Sequence, residues 1–254
     1  MRKNELQAIY VMWLRQMKRF IRSRSRLASM IIQPLFFLFI FGAGFRSVIM
    51  PGIHVDYMHF LAPGIVAMAI LFSSMFAGVS VLWDKQFGFL QEVLVAPVSR
   101  LSIIIGRTLG GATTALIQGF IILLISFYLG VTPSSVSGLL LMIIFMILIA
   151  FSAVGFGLIL ASKMSDFQGF QLIMNLIIFP LLFLSSAFFS VNTDQTMKTI
   201  ALINPLFYMV DGLRGSFIGV ENSVMPLSVD LIVVFIICVT MMGLGSHSFS
   251  KSEV

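Results

Sequence analysis

Long apolar runs alternate with short charged stretches along this 254-residue chain. A charge at the centre of a membrane-spanning helix costs about 2.5–3.5 kcal/mol on insertion scales, so long charge-free runs are typical of spans. The turn-forming residues at 130–135 divide the longest run into two helices. No Asp, Glu, Lys or Arg occurs in 27–45, 57–83, 108–162, 167–193 or 231–250. Because one span needs about 20 residues, we predict six, at about 27–46, 60–83, 106–130, 138–161, 169–191 and 229–249.

The overall composition agrees with this pattern. The chain is 59% hydrophobic and only 10% charged, with a mean hydropathy of +1.05. Soluble domains carry about 25% charged residues. The composition therefore excludes a soluble globular protein, a disordered chain and a nucleic-acid-binding domain, and predicts an all-α polytopic membrane protein. A single cysteine, Cys238, excludes an internal disulfide and a cysteine-based metal site.

The positive charge is concentrated at the N-terminus, where residues 1–26 hold eight Lys or Arg and one acid, Glu5. Beside a bilayer, anionic lipid headgroups are the favoured partner of such a segment, ahead of nucleic acid. Six spans would place thirteen basic residues on the side of both termini and three on the other. Since basic residues favour the cytoplasmic side, we expect a multi-pass protein of the cell membrane with both termini in the cytoplasm.

Residues 1–26 also carry a helical pattern. Eight apolar positions share one face of a helix, with most of the basic residues elsewhere. These positions are Leu6, Ile9, Tyr10, Trp13, Leu14, Met17, Phe20 and Ile21. The pattern predicts an amphipathic helix lying in the membrane interface. Two roles are open for it: anchoring and orienting the first span, or bearing against a cytoplasmic partner.

Two connections are too apolar for ordinary solvated loops. The cytoplasmic loop 84–105 permits a short helix that Pro97 would stop. The outer segment 192–228 contains an apolar stretch that is too short and too interrupted to span. We predict an interfacial or re-entrant helix there, before the last span.

The chemistry that the sequence lacks narrows the function. The chain has no Gly-Lys pair and hence no phosphate-binding loop of the Walker type. It also lacks the His-Glu-x-x-His and Gly-x-Ser-x-Gly motifs. No carboxylate is expected inside the six helices, which disfavours a proton- or ion-driven relay. If the protein moves a substrate, the energy must come from a cytoplasmic partner.

Several segments resemble the membrane subunit of ABC-2 type exporters, with the daunorubicin-resistance and nodulation-type permeases as the nearest look-alikes. The most specific is the stretch 88–100, which reads Gly-Phe-Leu-Gln-Glu-Val-Leu-Val-Ala-Pro-Val-Ser-Arg. The others are Leu61-Ala62-Pro63-Gly64, Trp83-Asp84-Lys85-Gln86-Phe87, Gly106-Arg107, Asn204-Pro205-Leu206 and Asp211-Gly212-Leu213-Arg214. The resemblance covers nearly the whole chain.

The resemblance implies a half-transporter without its own ATPase site. A second permease copy would complete it, as a homodimer or alternatively a heterodimer, and separate ATPase subunits would bind ATP and Mg; no cofactor is expected in this chain. The loop after span 2 would carry a coupling helix that docks on the ATPase. Carried over to this sequence, the coupling residues are Phe87, Gly88, Glu92, Pro97, Ser99 and Arg100. For Glu92 and Arg100, the alternative to pairing with ATPase charges is a solvated loop charge.

The resemblance also implies a pathway at the dimer interface, lined mainly by spans 1, 2 and 5. That would turn Phe72, Phe76, Phe179 and Phe183 inward, although lipid-facing or core positions are the alternative for each. A wall without charges suits an amphipathic, drug-like or lipid-linked cargo, as in multidrug export. The other readings are an ABC-2 exporter of polysaccharide and a non-transporting membrane scaffold. An intramembrane enzyme is disfavoured by the missing motifs.

Overall fold

The computed structural model describes residues 2–45, 55–88, 98–191 and 194–251. Within these ranges the regular elements are helices, and no strand occurs. The α-helices are α1 (Arg2–Arg22), α2 (Arg24–Gly44), α3 (Tyr57–Gln86), α4 (Arg100–Tyr128), α5 (Val136–Lys163), α6 (Phe167–Phe183), α7 (Gln195–Ile203), α8 (Pro205–Ile218) and α9 (Leu227–Lys251). The short helix predicted ahead of Pro97 falls in 89–97, outside the described residues.

Four of the described helices, α3, α4, α5 and α9, are long and apolar enough to cross a membrane. The pair α1 and α2 would add a fifth span if counted as one, although the two helices meet at a bend of 81°. Helix α6 is apolar but only 17 residues long. These helices make the chain a multi-pass membrane protein.

Helix α3 is the centre of the bundle. It contacts α2, α4, α5 and α8, and almost every side chain from Phe60 to Leu82 is buried. A helix that is apolar all round is expected to be enclosed by other helices. The charged side chains of α3, Asp84 and Lys85, both lie in its last turn.

Helices α5 and α9 cross at glycines. A Cβ atom built on Gly245 would lie 2.7 Å from the carbonyl oxygen of Gly155, and one built on Gly155 would lie 2.6 Å from that of Met241. Small residues allow this close approach of backbones, which is a common basis of helix association in membranes. The C-terminal helix is thereby held against the bundle without large interlocking side chains.

Helix α8 lies buried at the end of the bundle where α3 begins. Pro205 occupies its first turn, and the Asn204 side chain caps it by accepting from the Leu206 N–H. Arg214 of α8 is fully buried and its guanidinium lies 3.7 Å from the Phe60 ring centroid. It also donates to the carbonyl oxygen of Ser186 over 2.6 Å. Arg214 is thus a structural link in the core between α8, Phe60 of α3 and Ser186.

The expectation that no carboxylate lies inside the helices is wrong for Asp230. This residue is in the first turn of α9 and its exposed fraction is 0%. Asp84 likewise belongs to the last turn of α3, two residues inside the helix end, and is buried. The charge-free run 57–83 ends just before Asp84, and the run 231–250 begins just after Asp230, so hydropathy alone placed Asp84 in a loop.

Candidate functional site

The candidate site is at the end of the bundle where α3 ends and α4 begins. Helix α1 lies along the first half of α4, and glycines make room for it. A Cβ atom on Gly106 would lie 2.7 Å from Met12 Cβ, and one on Gly110 would lie 2.6 Å from Gln16 Cβ. Because Gly106 and Gly110 are four residues apart, they lie on one face of α4 and form a shallow track for α1.

Polar contacts hold α1 in this track. The Trp13 Nε1–H donates to Thr113 Oγ1 of α4 over 3.1 Å. On the other side, the Gln16 side-chain amide donates to Ser80 Oγ of α3 over 2.8 Å. Helix α1 is therefore bonded to both helices that flank the predicted coupling loop.

Asp84 is the centre of a cluster that joins these three helices. Arg15 donates twice to its carboxylate, over 2.8 and 2.6 Å, in the two-pronged arrangement that favours arginine. Arg19 donates over 3.0 Å, and Arg107 of α4 donates over 2.7 Å from the opposite side. We call Asp84, Arg15, Arg19 and Arg107 the Asp84 cluster.

Burial of the Asp84 cluster determines the free-energy cost of forming its ion pairs and of breaking them. The side chains of Asp84 and Arg107 are each 2% exposed, whereas those of Arg15 and Arg19 are each 27% exposed. A buried ion pair is costly to form because both groups lose water, and it is more costly still to break by removing one partner. The cluster therefore fixes the position of α1 relative to α3 and α4.

A second polar junction involves Glu5, near the start of α1. Its carboxylate accepts from Ser102 Oγ, from Ser99 Oγ over 2.8 Å and from the Ser99 N–H over 3.1 Å. Hydrogen bonds from the Ser102 and Ser99 side chains hold the pKa of Glu5 below its usual range, since they stabilise the charged form. Ser99 is also the N-cap of α4 and accepts from the Ser102 N–H. Glu5 thus ties the start of α1 to the start of α4.

The C-terminal end of α9 reaches the same end of the bundle. Arg100 Nη1 donates to the carbonyl oxygen of Ser250 over 2.6 Å. A basic side chain at the end of a helix also interacts favourably with the helix dipole. The Arg107 guanidinium lies 5.7 Å from the Phe249 ring centroid. The last helix is therefore connected to the residues that flank the coupling loop.

The structure places four of the six predicted coupling residues. Phe87 follows α3 and is 82% exposed. Gly88 adopts a φ of +74°, which a residue with a side chain rarely tolerates, and this conformation ends the helix. Ser99 and Arg100 begin α4 and make the contacts described above. The remaining two, Glu92 and Pro97, lie outside the described residues.

Three of the four predicted pathway phenylalanines lie together. The rings of Phe72 and Phe179 are 5.7 Å apart, and Phe72 and Phe76 line a cavity of about 60 Å³ between α3 and α6. Phe183 is further along α6, where its ring lies 5.1 Å from that of Phe188. The cavity wall also holds the polar side chains Gln171 and Asn175. The phenylalanine pair therefore marks a crevice between α3 and α6.

The polar residues that position α1 were not predicted from the sequence. Met12 is buried against α4, whereas Leu6, Tyr10 and Ile21 of the predicted apolar face remain exposed. Asp84 was placed in a loop, so there was no reason to expect cations around it; in the structure it lies in the last turn of a helix, where an acid is unfavourable unless cations surround it. Among the described residues, no group of three or more His, Cys, Asp or Glu side chains could hold a metal ion.

The sequence model of the family described as ABC-2 type transporter matches residues 7–218, which include α1, the predicted coupling loop and α8. This chain belongs to the ABC-2 type transporter family. The family implies partnership with an ABC ATPase, so the chain is a membrane permease subunit of an ABC transporter.

Named relatives are consistent with this assignment. The chain is 26% identical to the inner membrane transport permease YadH of Escherichia coli, over 91% of this chain and 90% of the relative. It is 28% identical to the putative transport permease ycf38 of Cyanophora paradoxa, over 82% of this chain and 73% of the relative. A third relative, the probable multidrug ABC transporter permease YbhR of Escherichia coli, is 28% identical over 69% of this chain and 50% of the relative.

Proposed function

We propose that this ABC-2 permease is half of an exporter that moves an amphipathic, drug-like or lipid-linked molecule out of the cytoplasm. Energy is supplied by a separate ATPase that binds ATP and Mg, and a second copy of the chain completes the pathway. The observation that carries the proposal is the linkage of α1, α3 and α4 on both sides of the predicted coupling loop. Asp84 holds one flank of the loop to α1, and Ser99 holds the other.

This linkage provides a mechanical route from ATPase to membrane. A change at the ATPase alters the bundle only through contacts that differ between its two states. Because α3 and α4 are both bonded to α1, a displacement of the loop moves the three helices together. Phe87 is 82% exposed at the exit of α3 and offers an apolar contact for the ATPase surface. Glu92 and Arg100 add charges that could pair with it.

In the proposed topology there are six spans and both termini are cytoplasmic. Helices α2 and α6 are the spans added to the four that are long and apolar enough. At 1.5 Å per residue, the 17 residues of α6 extend roughly 25 Å, which a bilayer accommodates by local thinning. Helices α7 and α8 form the outer re-entrant element. A membrane-impermeant maleimide should label Lys251→Cys from the cytoplasmic side and Tyr128→Cys from the outside; labelling of both from one side would contradict this topology.

The cargo assignment is supported by the crevice between α3 and α6. Its walls are aromatic and aliphatic, with Phe72 and Phe76 beside Gln171 and Asn175. With a volume of about 60 Å³ the crevice is smaller than a pocket for a drug-sized molecule, so the support comes from its lining, which is apolar with a few polar groups. Phe179 and Phe183 would continue the wall toward the outer end of α6. Export of only small ions or free sugars by reconstituted vesicles would contradict this cargo class.

A matched pair of aromatic variants tests the coupling role. Phe87→Ala removes an exposed ring beside the predicted coupling loop, whereas Tyr128→Ala removes a ring that is 90% exposed at the opposite end of the bundle. The permease and a candidate ABC ATPase are co-purified, and permease-dependent ATP hydrolysis is measured for each variant. We expect Phe87→Ala to lose most of the stimulated hydrolysis and Tyr128→Ala to keep it. Glu92→Gln and Pro97→Ala should weaken the complex in the same assay.

Two outcomes would contradict the proposal. If the wild-type chain neither binds the ATPase nor stimulates it, the permease does not draw energy from that partner. If Phe87→Ala and Tyr128→Ala lose equal activity while both remain folded, the loop after α3 is not the coupling element.

A further inference from the structure

The Asp84 cluster contains more positive than negative charge. Arg15, Arg19 and Arg107 all donate to the single carboxylate of Asp84, so three guanidinium groups and one carboxylate give a net formal charge of +2. Among the residues that the structure describes, Arg19 and Arg107 form salt bridges only with Asp84. Within the described part of the chain, Arg19 and Arg107 therefore share one carboxylate with Arg15, and the cluster carries a net positive charge.

Several N–H donors of the cluster have no hydrogen-bond partner in the part of the chain that the structure describes, and they indicate where a second anion would bind. Arg107 is 1% exposed, and its buried Nε and Nη1 atoms have no hydrogen-bond partner among the described residues. The Nη1 atom of Arg19 is also buried and has no hydrogen-bond partner within the described ranges. Buried charged groups are normally paired and hydrogen-bonded, because an unpaired one loses its hydration without compensation. The arrangement has unused donors for a second anion.

The position of the cluster indicates the source of that anion. Arg15 and Arg19 are partly exposed on α1, which also carries the exposed apolar side chains of Leu6, Tyr10 and Ile21. The Tyr10 and Trp13 rings stack with centroids 6.0 Å apart on the same helix. Exposed apolar and aromatic side chains beside basic ones are typical of a helix at the membrane–water interface, where anionic lipid phosphates are concentrated.

We propose that the Asp84 cluster binds the phosphate of an anionic lipid headgroup, with Arg15 and Arg19 as the outer ligands and Arg107 providing the buried charge beneath them. The planar arginine fork suits a phosphate, which accepts two hydrogen bonds from one guanidinium. The lipid would then be a structural component that holds α1 against α3 and α4. The inference requires only that the chain is embedded in a membrane, so it can succeed or fail independently of the proposed export.

The experiment compares two double variants with the same loss of charge. Arg15→Gln/Arg19→Gln removes the outer ligands, and Lys18→Gln/Arg22→Gln removes two exposed basic residues from the same helix. Each full-length protein is purified in mixed micelles of phosphatidylglycerol and phosphatidylcholine, and the retained lipids are counted by mass spectrometry. General attraction to an anionic surface changes binding by roughly fivefold per basic residue and would affect both variants equally.

A specific site predicts unequal losses. We expect Arg15→Gln/Arg19→Gln to lose at least roughly tenfold more phosphatidylglycerol preference than Lys18→Gln/Arg22→Gln, since it removes charge-assisted bonds to one phosphate. If the glutamine variant does not fold, Arg15→Lys/Arg19→Lys retains the charges and lacks only the fork. This lysine variant should still lose more of its preference for phosphatidylglycerol than Lys18→Gln/Arg22→Gln does. The proposal is overturned if neither Arg15/Arg19 variant loses more than the control.

Two further arms separate other anions from a lipid. Inorganic phosphate at millimolar concentration should not displace retained phosphatidylglycerol from the wild type. Displacement would overturn the lipid assignment in favour of a soluble anion. If Arg15→Gln/Arg19→Gln keeps its lipid preference but loses binding to the ATPase, an acidic side chain of that partner is the second anion, and the lipid assignment is wrong.

Discussion

The Arg15 guanidinium donates two hydrogen bonds to the Asp84 carboxylate, over 2.8 and 2.6 Å, and so joins helix α1 to the last turn of α3. The pair is 69 residues apart in sequence. Arg107 reaches the same carboxylate from α4. Because α3 and α4 flank the predicted coupling loop, this carboxylate is the point at which three helices of the permease are fixed together.

Replacing Asp84 with Asn should release α1. The change leaves three guanidinium groups near one another without a carboxylate; the Arg15 and Arg19 side chains are each 27% exposed to water, whereas that of Arg107 is 2% exposed. Breaking a buried pair by removing one partner costs about 3–5 kcal/mol, so we expect a large fall in thermal stability. Scanning fluorimetry in detergent would detect it, because Trp13 of α1 and Trp83 of α3 both lie near the cluster.

Asp194→Asn is the matched control. Asp194 precedes α7, is exposed and makes no side-chain capping hydrogen bond. Its replacement should change stability by less than about 0.5 kcal/mol, as is usual for surface substitutions. If Asp84→Asn is as stable as Asp194→Asn, then the three arginines do not depend on this carboxylate.

Gly106→Ala should displace α1 from α4. The added methyl group would lie 2.7 Å from both Met12 Cβ and the Ile9 carbonyl oxygen, and backbone cannot easily move away. Overpacking of this kind costs about 1–3 kcal/mol. Faster amide hydrogen exchange throughout α1, measured by mass spectrometry, is the expected readout.

The control for this substitution is Gly243→Ala in α9, where the new Cβ would meet no atom within 4 Å. Alanine is favoured over glycine in helices by about 1 kcal/mol, so this variant should be as stable as the wild type or more so. Protection of α1 that is unchanged in Gly106→Ala would show that α1 does not need the glycine track.

Much of the helical architecture could be predicted from the positions of charges. Charge-free runs predict helices because unpaired ionisable groups are costly in a membrane, and α3, α4, α5 and α9 satisfy the length and apolarity required of spans. The turn predicted at 130–135 lies between α4 and α5. The same reasoning placed Asp84 in a loop and expected no carboxylate within the helices, which is wrong for Asp230, because a carboxylate near a helix end can be buried once a neighbouring helix covers it.

The candidate site could be predicted only in part. The family-like stretch 88–100 indicated Ser99 and Arg100 as coupling residues, and their observed contacts are with Glu5 and with the end of α9. These contacts join residues 94 and 150 positions apart. Helical periodicity reports which residues share a face of one helix and carries no information on which helix packs against it. For that reason the Asp84 cluster was not predicted.

Acid should release the start of α1 from α4. Glu5 is held in its charged form by hydrogen bonds from Ser102 and Ser99, so its pKa is lowered in the folded protein. A carboxyl group with a lowered pKa contributes stability above its usual pKa, and the contribution is lost as the pH falls through the lowered value. The protection of amides at the start of α1, taken relative to the intrinsic exchange rate at each pH, should therefore be high at neutral pH and fall in acid below the usual pKa of glutamate.

Glu5→Gln should remove that pH dependence. The amide is uncharged and accepts weaker hydrogen bonds, so exchange at the start of α1 should already be fast at neutral pH. The measurement compares exchange of the first turns of α1 in both proteins across pH 3–7. An equal response to acid in Glu5→Gln and wild type would show that another group controls this junction.

Arg214→Lys should loosen the opposite end of the bundle without removing a charge. The Arg214 guanidinium donates to Ser186 Oγ over 3.0 Å and to the Ser186 carbonyl oxygen over 2.6 Å, and it lies over the Phe60 ring. An ammonium group has no planar fork and cannot reproduce this geometry. Each lost hydrogen bond to a charged group costs about 1.5–3 kcal/mol, so we expect a loss of at least that size in detergent-based thermal unfolding.

The same experiment distinguishes geometry from charge. Lys198→Gln removes a basic residue of the neighbouring helix α7. Among the described residues Lys198 makes no salt bridge, so this variant should leave stability nearly unchanged. Arg214→Gln removes both fork and charge and should be less stable than Arg214→Lys, since the nearby Asp211 loses its positive neighbour. If Arg214→Lys unfolds at the wild-type temperature, the charge alone holds α8 against α3, and the contacts to Ser186 and Phe60 are incidental.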